Sequence, residues 1–204
     1  MWNNFLELRV TSSTPRFLFP KVQKARDVSP VVQGGGYPEL FANELASNRS
    51  MINEIRTFCD SGQPVYAECG GMLYLSEGPT REDQEDDTPF VGILPVRYTL
   101  GNRLKRLGYA EVLSSSGFFS DVSDSIRGHL FHYTQLSEPH SSFAPAFRHV
   151  SDNKPEGYCV NGVIASYLHL FFPSNISWAY ALAQTLKSGR MANIDHSAEA
   201  GKDQ

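Results

Sequence analysis

Three features of the sequence predict an α/β fold, a mostly parallel sheet covered by helices. Residues 64–76 run from the apolar strand Val65-Tyr66-Ala67 through Glu68 into Cys69, then Gly70-Gly71, then a helix-like stretch from Met72 to Ser76. An earlier apolar strand, Val31-Val32-Gln33, stops at Gly34-Gly35-Gly36 and gives way to a helical pattern. Strand, glycine turn and helix repeated in this order are the signature of parallel strands with crossover helices. The third feature is the apolar run Val163 to Leu168, which leads directly into His169. Such strand ends are where α/β sheets carry their chemistry.

The elements follow in order. Leu6, Leu8 and Val10 alternate with Glu7 and Arg9, which suggests a strand, and Phe17-Leu18-Phe19 is an apolar stretch between prolines. Residues 1–27 otherwise form an atypical N-terminal segment. Pro38 opens a helix at its first turn, and Pro38 to Ser61 reads as helical in two pieces. Leu40, Phe41 and Leu45 share one face of the first, Ser47-Asn48 ends it and caps the second, and Ile52, Ile55 and Cys59 continue the stripe to a stop at Gly62. Residues 77–89 are acidic and nearly free of apolar side chains, so they read as a solvated loop. Strands are expected at Val91–Leu94, Arg97–Leu100, Tyr109–Leu113, Ile126–Thr134, Tyr158–Val160 and Val163–Leu168. The last helix is Ile176–Lys187, capped by Ser174 or Asn175, with Ala179, Leu182, Ala183 and Leu186 as its core face. A polar tail, 190–204, is expected to be disordered.

Composition narrows the function. The chain has 204 residues and a formal net charge of −4, which gives no support to nucleic-acid binding. No apolar run reaches membrane-spanning length, and no basic-then-apolar leader opens the sequence. The three cysteines (Cys59, Cys69, Cys159) are far apart and odd in number, against a disulfide framework or a zinc knuckle. A reducing, cytoplasmic setting fits. No metal site is read: His129 and His132 have no carboxylate or cysteine nearby in sequence.

Strand, cysteine, glycines and helix together make a nucleophile elbow, in which a tight turn pushes the side chain above the sheet. The helix N-terminus favours the thiolate. A buried structural cysteine is the plainer interpretation of a lone Cys-Gly-Gly, and other segments tip the balance. The Gly34–Gly36 loop can aim backbone N–H groups at a developing oxyanion. It lacks the Gly-Lys-Ser/Thr ending of a phosphate loop. In Gly128-His129-Leu130-Phe131-His132-Tyr133, strand alternation places His129, Phe131 and Tyr133 on one face, and Leu130 and His132 on the other. His129 reads as structural and His132 stays open. His169, paired with an elbow cysteine, becomes a candidate general base.

Six ordered segments carry a resemblance: Gly-Gly-Gly-Tyr-Pro-Glu (34–39), Ser-Asn-Arg (47–49), Pro-Val-Tyr-Ala-Glu-Cys-Gly-Gly (64–71), Gly-Tyr-Ala-Glu-Val (108–112), Gly-His-Leu-Phe-His-Tyr (128–133) and Ser-Tyr-Leu-His-Leu (166–170). Over roughly residues 28–188 the chain resembles the C-terminal glutamine amidotransferase domain of cobyrinic (or hydrogenobyrinic) acid a,c-diamide synthases, a cobyric-acid-synthase-like class I glutaminase. The resemblance implies a class I glutamine-amidotransferase-like, flavodoxin-like fold with helices on both sheet faces, over a domain of 28–189 whose N-terminal strands are altered or missing. It implies Cys69 as nucleophile, His169 as general base, and Gly35 or Gly36 with Gly70 as oxyanion hole. Glu68, Gly71, Tyr37 and His132 would bind or orient substrate. It implies glutamine as substrate and a separate synthetase domain, using ATP and Mg2+, as partner and acceptor of the ammonia. No nucleic acid, membrane or cofactor is expected for this chain itself.

The sequence departs from the family where Leu130 replaces a usual Glu and Phe171 a usual His. Many triad glutaminases place a Glu two residues after the base. Here that position is Phe171, so only a Cys-His dyad is visible and the imidazole must be oriented by another group. Two other readings stand beside the leading one: a non-catalytic domain that binds a partner, and a glutaminase serving another acceptor, such as a cell-wall lipid.

Overall fold

The computed structural model describes residues 31–33, 36–80, 88–115, 117–119, 121–138 and 143–188. The strand expected at 6–10, the apolar stretch 17–19, the segment 1–27, Gly34, Gly35, most of the acidic stretch (81–87) and the tail 190–204 lie outside the described residues.

The central layer is a four-stranded sheet in the order β1-β2-β11-β10, built from Val31–Gln33, Val65–Glu68, Val163–Ser166 and Tyr158–Val160. β1, β2 and β11 run parallel, and β10 closes the edge antiparallel. This is the parallel core that the strand–glycine–helix order predicts. Val65, Tyr66, Ala67, Val163, Ile164 and Ala165 are all buried, as the strands of a sheet covered on both faces must be.

The helix between β1 and β2 comes in pieces, as expected. A 3₁₀ turn, Pro38–Phe41, has Pro at its start and leads into α1, Ala42–Ser47. Asn48 separates α1 from α2, Arg49–Asp60, and its Oδ1 accepts the Met51 N–H at 3.2 Å. Ile52, Ile55, Phe58 and Cys59 form the buried stripe of α2. Leu40 was expected on the apolar face of the first piece but is 64% exposed. The opening turn is 3₁₀ rather than α, and its three-residue period rotates Leu40 away from Ala42 and Leu45.

The acidic segment does not begin as a loop. α3 (Gly70–Leu75) passes directly into β3, Ser76–Pro79, which pairs parallel with β4, Leu94–Leu100. The buried Ser76 hydroxyl donates to Leu73 O at 2.6 Å and accepts the Gly78 N–H at 3.1 Å, fixing the helix-to-strand turn. Of the strands expected at 91–94 and 97–100, the second lies within β4, which begins only at Leu94, and residues 91–93 precede it without strand structure. β7, Thr134–Leu136, completes this three-stranded sheet.

A five-stranded antiparallel sheet has the order β12-β6-β5-β8-β9: His169–Leu170, Ile126–His132, Arg106–Ser114, Phe147–His149 and Pro155–Glu156. β8 and β9 carry no clear sequence pattern and were not anticipated. Its inner face holds Val112, Ile126, Leu130, Phe147 and His149, all buried. Gly128 sits on that face because any side chain there would strike the carbonyl of His169. α4, Ile176–Ser188, begins where Asn175 Oδ1 accepts the Ser177 N–H, and packs Trp178 against Phe119 with ring centroids 4.5 Å apart. Trp178 is fully buried and Leu182 buried, whereas Ala179, Ala183 and Leu186 are half-buried.

Candidate active site

The run 163–168 is not one strand continuing into His169. β11 ends at Ser166, whose hydroxyl accepts the Leu168 N–H at 2.9 Å. That turn carries the chain out of the central sheet, so His169 enters the antiparallel sheet as β12, opposite His129 of β6. The catalytic candidates therefore come from two sheets that meet at one place.

Cys69 stands at the end of β2 with φ 47 and ψ −108. Positive φ is uncommon and strained for a residue with a Cβ, and such strain collects at functional sites. The Cys69 N–H is bonded to Ser166 O at 2.7 Å, and Leu73 N–H donates to Cys69 O at 3.0 Å, so both flanks of the elbow are held. Gly70 packs directly on Gly36: a Cβ at position 70 would lie 2.5 Å from Gly36 O. Gly36, the last residue of the glycine run, thus lies against the elbow. Of the residues expected in the oxyanion hole, Gly36 and Gly70 are together, and Gly35 is outside the described residues. Gly71 is buried in the first turn of α3.

The Cys69 thiol lies 3.9 Å from Phe131 O of β6 and neighbours the His169 imidazole closely enough to shift its titration. The other side of the imidazole is taken by Glu68: His169 Nδ1 lies 3.3 Å from Glu68 Oε2. With Nδ1 engaged, Nε2 is the nitrogen left for sulfur. Hydrogen bonding to Cys69 and then to Glu68 raises the His169 pKa to about 10, overcoming the opposing effect of burial. Both neighbours favour the protonated form of the imidazole. The group that holds the imidazole is Glu68, immediately before Cys69, and not residue 171, two after His169. Phe171 is 59% exposed.

Glu68 is itself held. Its Oε1 accepts the Tyr66 hydroxyl at 2.7 Å and the Leu170 N–H at 3.0 Å. Burial, reinforced by Glu68, keeps the Tyr66 pKa well above its ordinary value, so the phenol remains a donor. Tyr66 is a residue that the sequence reading missed. Its spacing of two from Glu68 on one strand puts both side chains on one face, and that was the available signal.

The remaining candidates are placed differently. His132 lies on the inner face of β6, opposite the face of His169. Its ring stacks on Tyr167 at 3.7 Å, its Nδ1 is 2.9 Å from Thr134 O, and burial lowers its pKa, leaving it neutral. Tyr37 is 53% exposed at the turn after the glycines. His129, expected to be structural, is exposed and stacks on His169 with centroids 4.8 Å apart. Leu130 is a core residue at 2% exposure, so its exchange for the usual Glu leaves a buried position apolar.

A strained cysteine elbow on a parallel sheet, with a strand-end histidine from an adjoining sheet, defines a class I glutamine-amidotransferase-like fold. A crystal structure of a glutamine amidotransferase superposes with a TM-score of 0.55 over 82% of this chain and 83% of its own, at 15% identity. The CobB/CobQ-like glutamine amidotransferase domain model matches residues 1–176. The chain belongs to that family. The match takes in the N-terminal segment on which no resemblance was read. The chain is 34% identical over 189 residues to a cobyrinate a,c-diamide synthase of Leptospira interrogans, covering 89% of this chain and 41% of the relative. To that of a Synechocystis strain it is 37% identical over 155 residues, covering 74% and 32%. The chain thus spans well under half the length of these relatives.

Proposed function

We propose that this chain is the glutaminase portion of a cobyrinate (or hydrogenobyrinate) a,c-diamide-forming system in cobalamin biosynthesis. The observation that carries the reading is the Cys69–His169–Glu68 arrangement at the positive-φ elbow. The Cys69 thiolate attacks the side-chain amide carbon of glutamine, and the N–H groups of Gly36 and Gly70 receive the oxyanion. Imidazolium His169 gives its proton to the leaving nitrogen, and ammonia departs from a thioester. His169, now neutral, takes a proton from water as it attacks the thioester carbon. Glutamate leaves and the thiolate returns. Glu68 holds Nδ1–H throughout, fixing tautomer and ring plane.

The acceptor, the ATP and the Mg2+ belong to a synthetase portion, since no phosphate loop occurs in this sequence. The names of the relatives support a corrinoid acceptor. A reducing cytoplasm agrees with three cysteines that no disulfide joins; among the described residues, no helix is long and apolar enough to cross a membrane.

The test is mass mapping after treatment with a glutamine-mimicking chloroketone, beside a coupled ammonia assay. Cys69 should be modified first. Cys59 should lag, because burial pushes its thiol up to about 12. Cys69→Ala should abolish ammonia release. Labelling at Cys59 or Cys159 with Cys69 intact, or unchanged turnover in Cys69→Ala, removes the reading.

A further inference from the structure

The strand register of the antiparallel sheet puts His169, His129 and Tyr109 in one row, and Phe131 and Leu107 in the next. Residues directly opposite in a ladder point to the same face, and the His129–His169 stack agrees. This face is the outer one. It carries Leu107 at 71% exposure, Tyr109 at 95% and Leu113 at 40%. The charged residues Glu111, Arg127 and Arg148 share the face and are exposed. Strands of a half-solvated sheet ordinarily alternate apolar-in and polar-out. β5 instead puts leucine and tyrosine outward and keeps Val112 inward. The result is an exposed face whose apolar and aromatic end, Leu107 and Tyr109 beside half-buried Phe131, adjoins the charged row of Glu111 and Arg127, with Leu113 and Arg148 beyond it, a mixture of surface that protein interfaces carry.

The patch begins at the base of the candidate active site, and this says what should cover it. Ammonia released to water becomes ammonium, which has no lone pair for attack on an activated carboxylate. The domain that consumes the ammonia must therefore seat over the His169 side of the site and exclude water. The relatives carry well over half their length beyond the stretch matched here. We infer that the outer face of the β5–β6 ribbon, centred on Leu107, Tyr109 and Leu113, is the surface on which the ammonia-consuming, carboxylate-activating domain docks. The inference rests on the glutaminase reading above and adds the surface to it.

The test uses this chain with Leu107→Asp and Leu113→Asp, two positions away from the catalytic groups. The probe is the portion of the Leptospira interrogans relative outside the matched stretch, shown to be folded by amide formation with ammonium chloride. Wild type should bind it and support glutamine-dependent amide formation. Each variant should lose at least tenfold in affinity and in glutamine-dependent synthesis. Chloroketone labelling of Cys69 and ammonium-dependent synthesis should stay unchanged. Binding equal to wild type in both variants, or no binding by wild type, overturns the docking surface. So does a dimer of this chain that either Asp substitution dissociates, since the face would then be a contact between copies. Failure of Cys69 labelling in the wild type overturns the glutaminase reading instead, so the two failures are told apart.

Discussion

Glu68 is where the chemistry of this site diverges from the dyad that its sequence shows. Its carboxylate engages His169 Nδ1, so Glu68→Gln should keep the shape and lose the charge. The expected outcome is a fall of about 10^2–10^4-fold in Cys69 alkylation by a glutamine mimic, the range over which orienting groups act. The alkaline limb of the pH profile should move down, though only part of the way, because Cys69, the larger cause of the raised His169 pKa, remains. An unchanged profile would show that another group holds the imidazole. His169 also ties stability to pH. Its folded pKa is raised from 6.5 to about 10, so its contribution is fully present below pH 6.5 and is lost as pH rises through about 10. Urea midpoints measured across that window should decline more steeply for wild type than for His169→Gln. Parallel curves would count against the pairing with Cys69 and Glu68.

Among the elements, the elbow depends on the close approach of two glycines. Gly70→Ala would set a methyl group 2.5 Å from Gly36 O, backbone that a flexible neighbour cannot relieve. Forcing it in should cost about 1–3 kcal/mol and displace the turn, so denaturation midpoint and Cys69 labelling should fall together. Wild-type labelling in this variant would separate the glycine loop from the site. Much of this was legible beforehand. The elbow, the break at Asn48 and the parallel core follow from local patterns: a strand period, a capping amide and glycine turns. What was not legible is long-range. The exit of the chain at Ser166 depends on a hydroxyl–amide bond, invisible in an apolar run that reads straight through to Leu168. Phe147–His149 and Pro155–Glu156 are strands because β5 offers them an edge, not because their residues alternate. The role of Glu68 was hidden because His169 lies 101 residues away.

At the scale of the molecule, the chain carries the Cys69, His169 and Glu68 cluster and no phosphate-loop motif. Its own ammonia release should be weak, insensitive to ATP, and raised when the synthetase portion is added. Micromolar ATP binding by the isolated chain, seen by calorimetry, would contradict this division of labour. The Glu68 carboxylate also spans the seam between the central sheet, which holds the cysteine, and the antiparallel sheet, which holds the histidine. One oxygen clasps Tyr66 on the first and the Leu170 N–H on the second. The amide proton of Leu170 is therefore a native reporter of whether the seam is closed. Its exchange with deuterium should be slow in the wild type and should speed up in Glu68→Ala, while the amide of Phe171, bonded to Arg127 O, keeps its rate. If the seam opens and closes during turnover, that single proton will register it without any label at the chemistry itself.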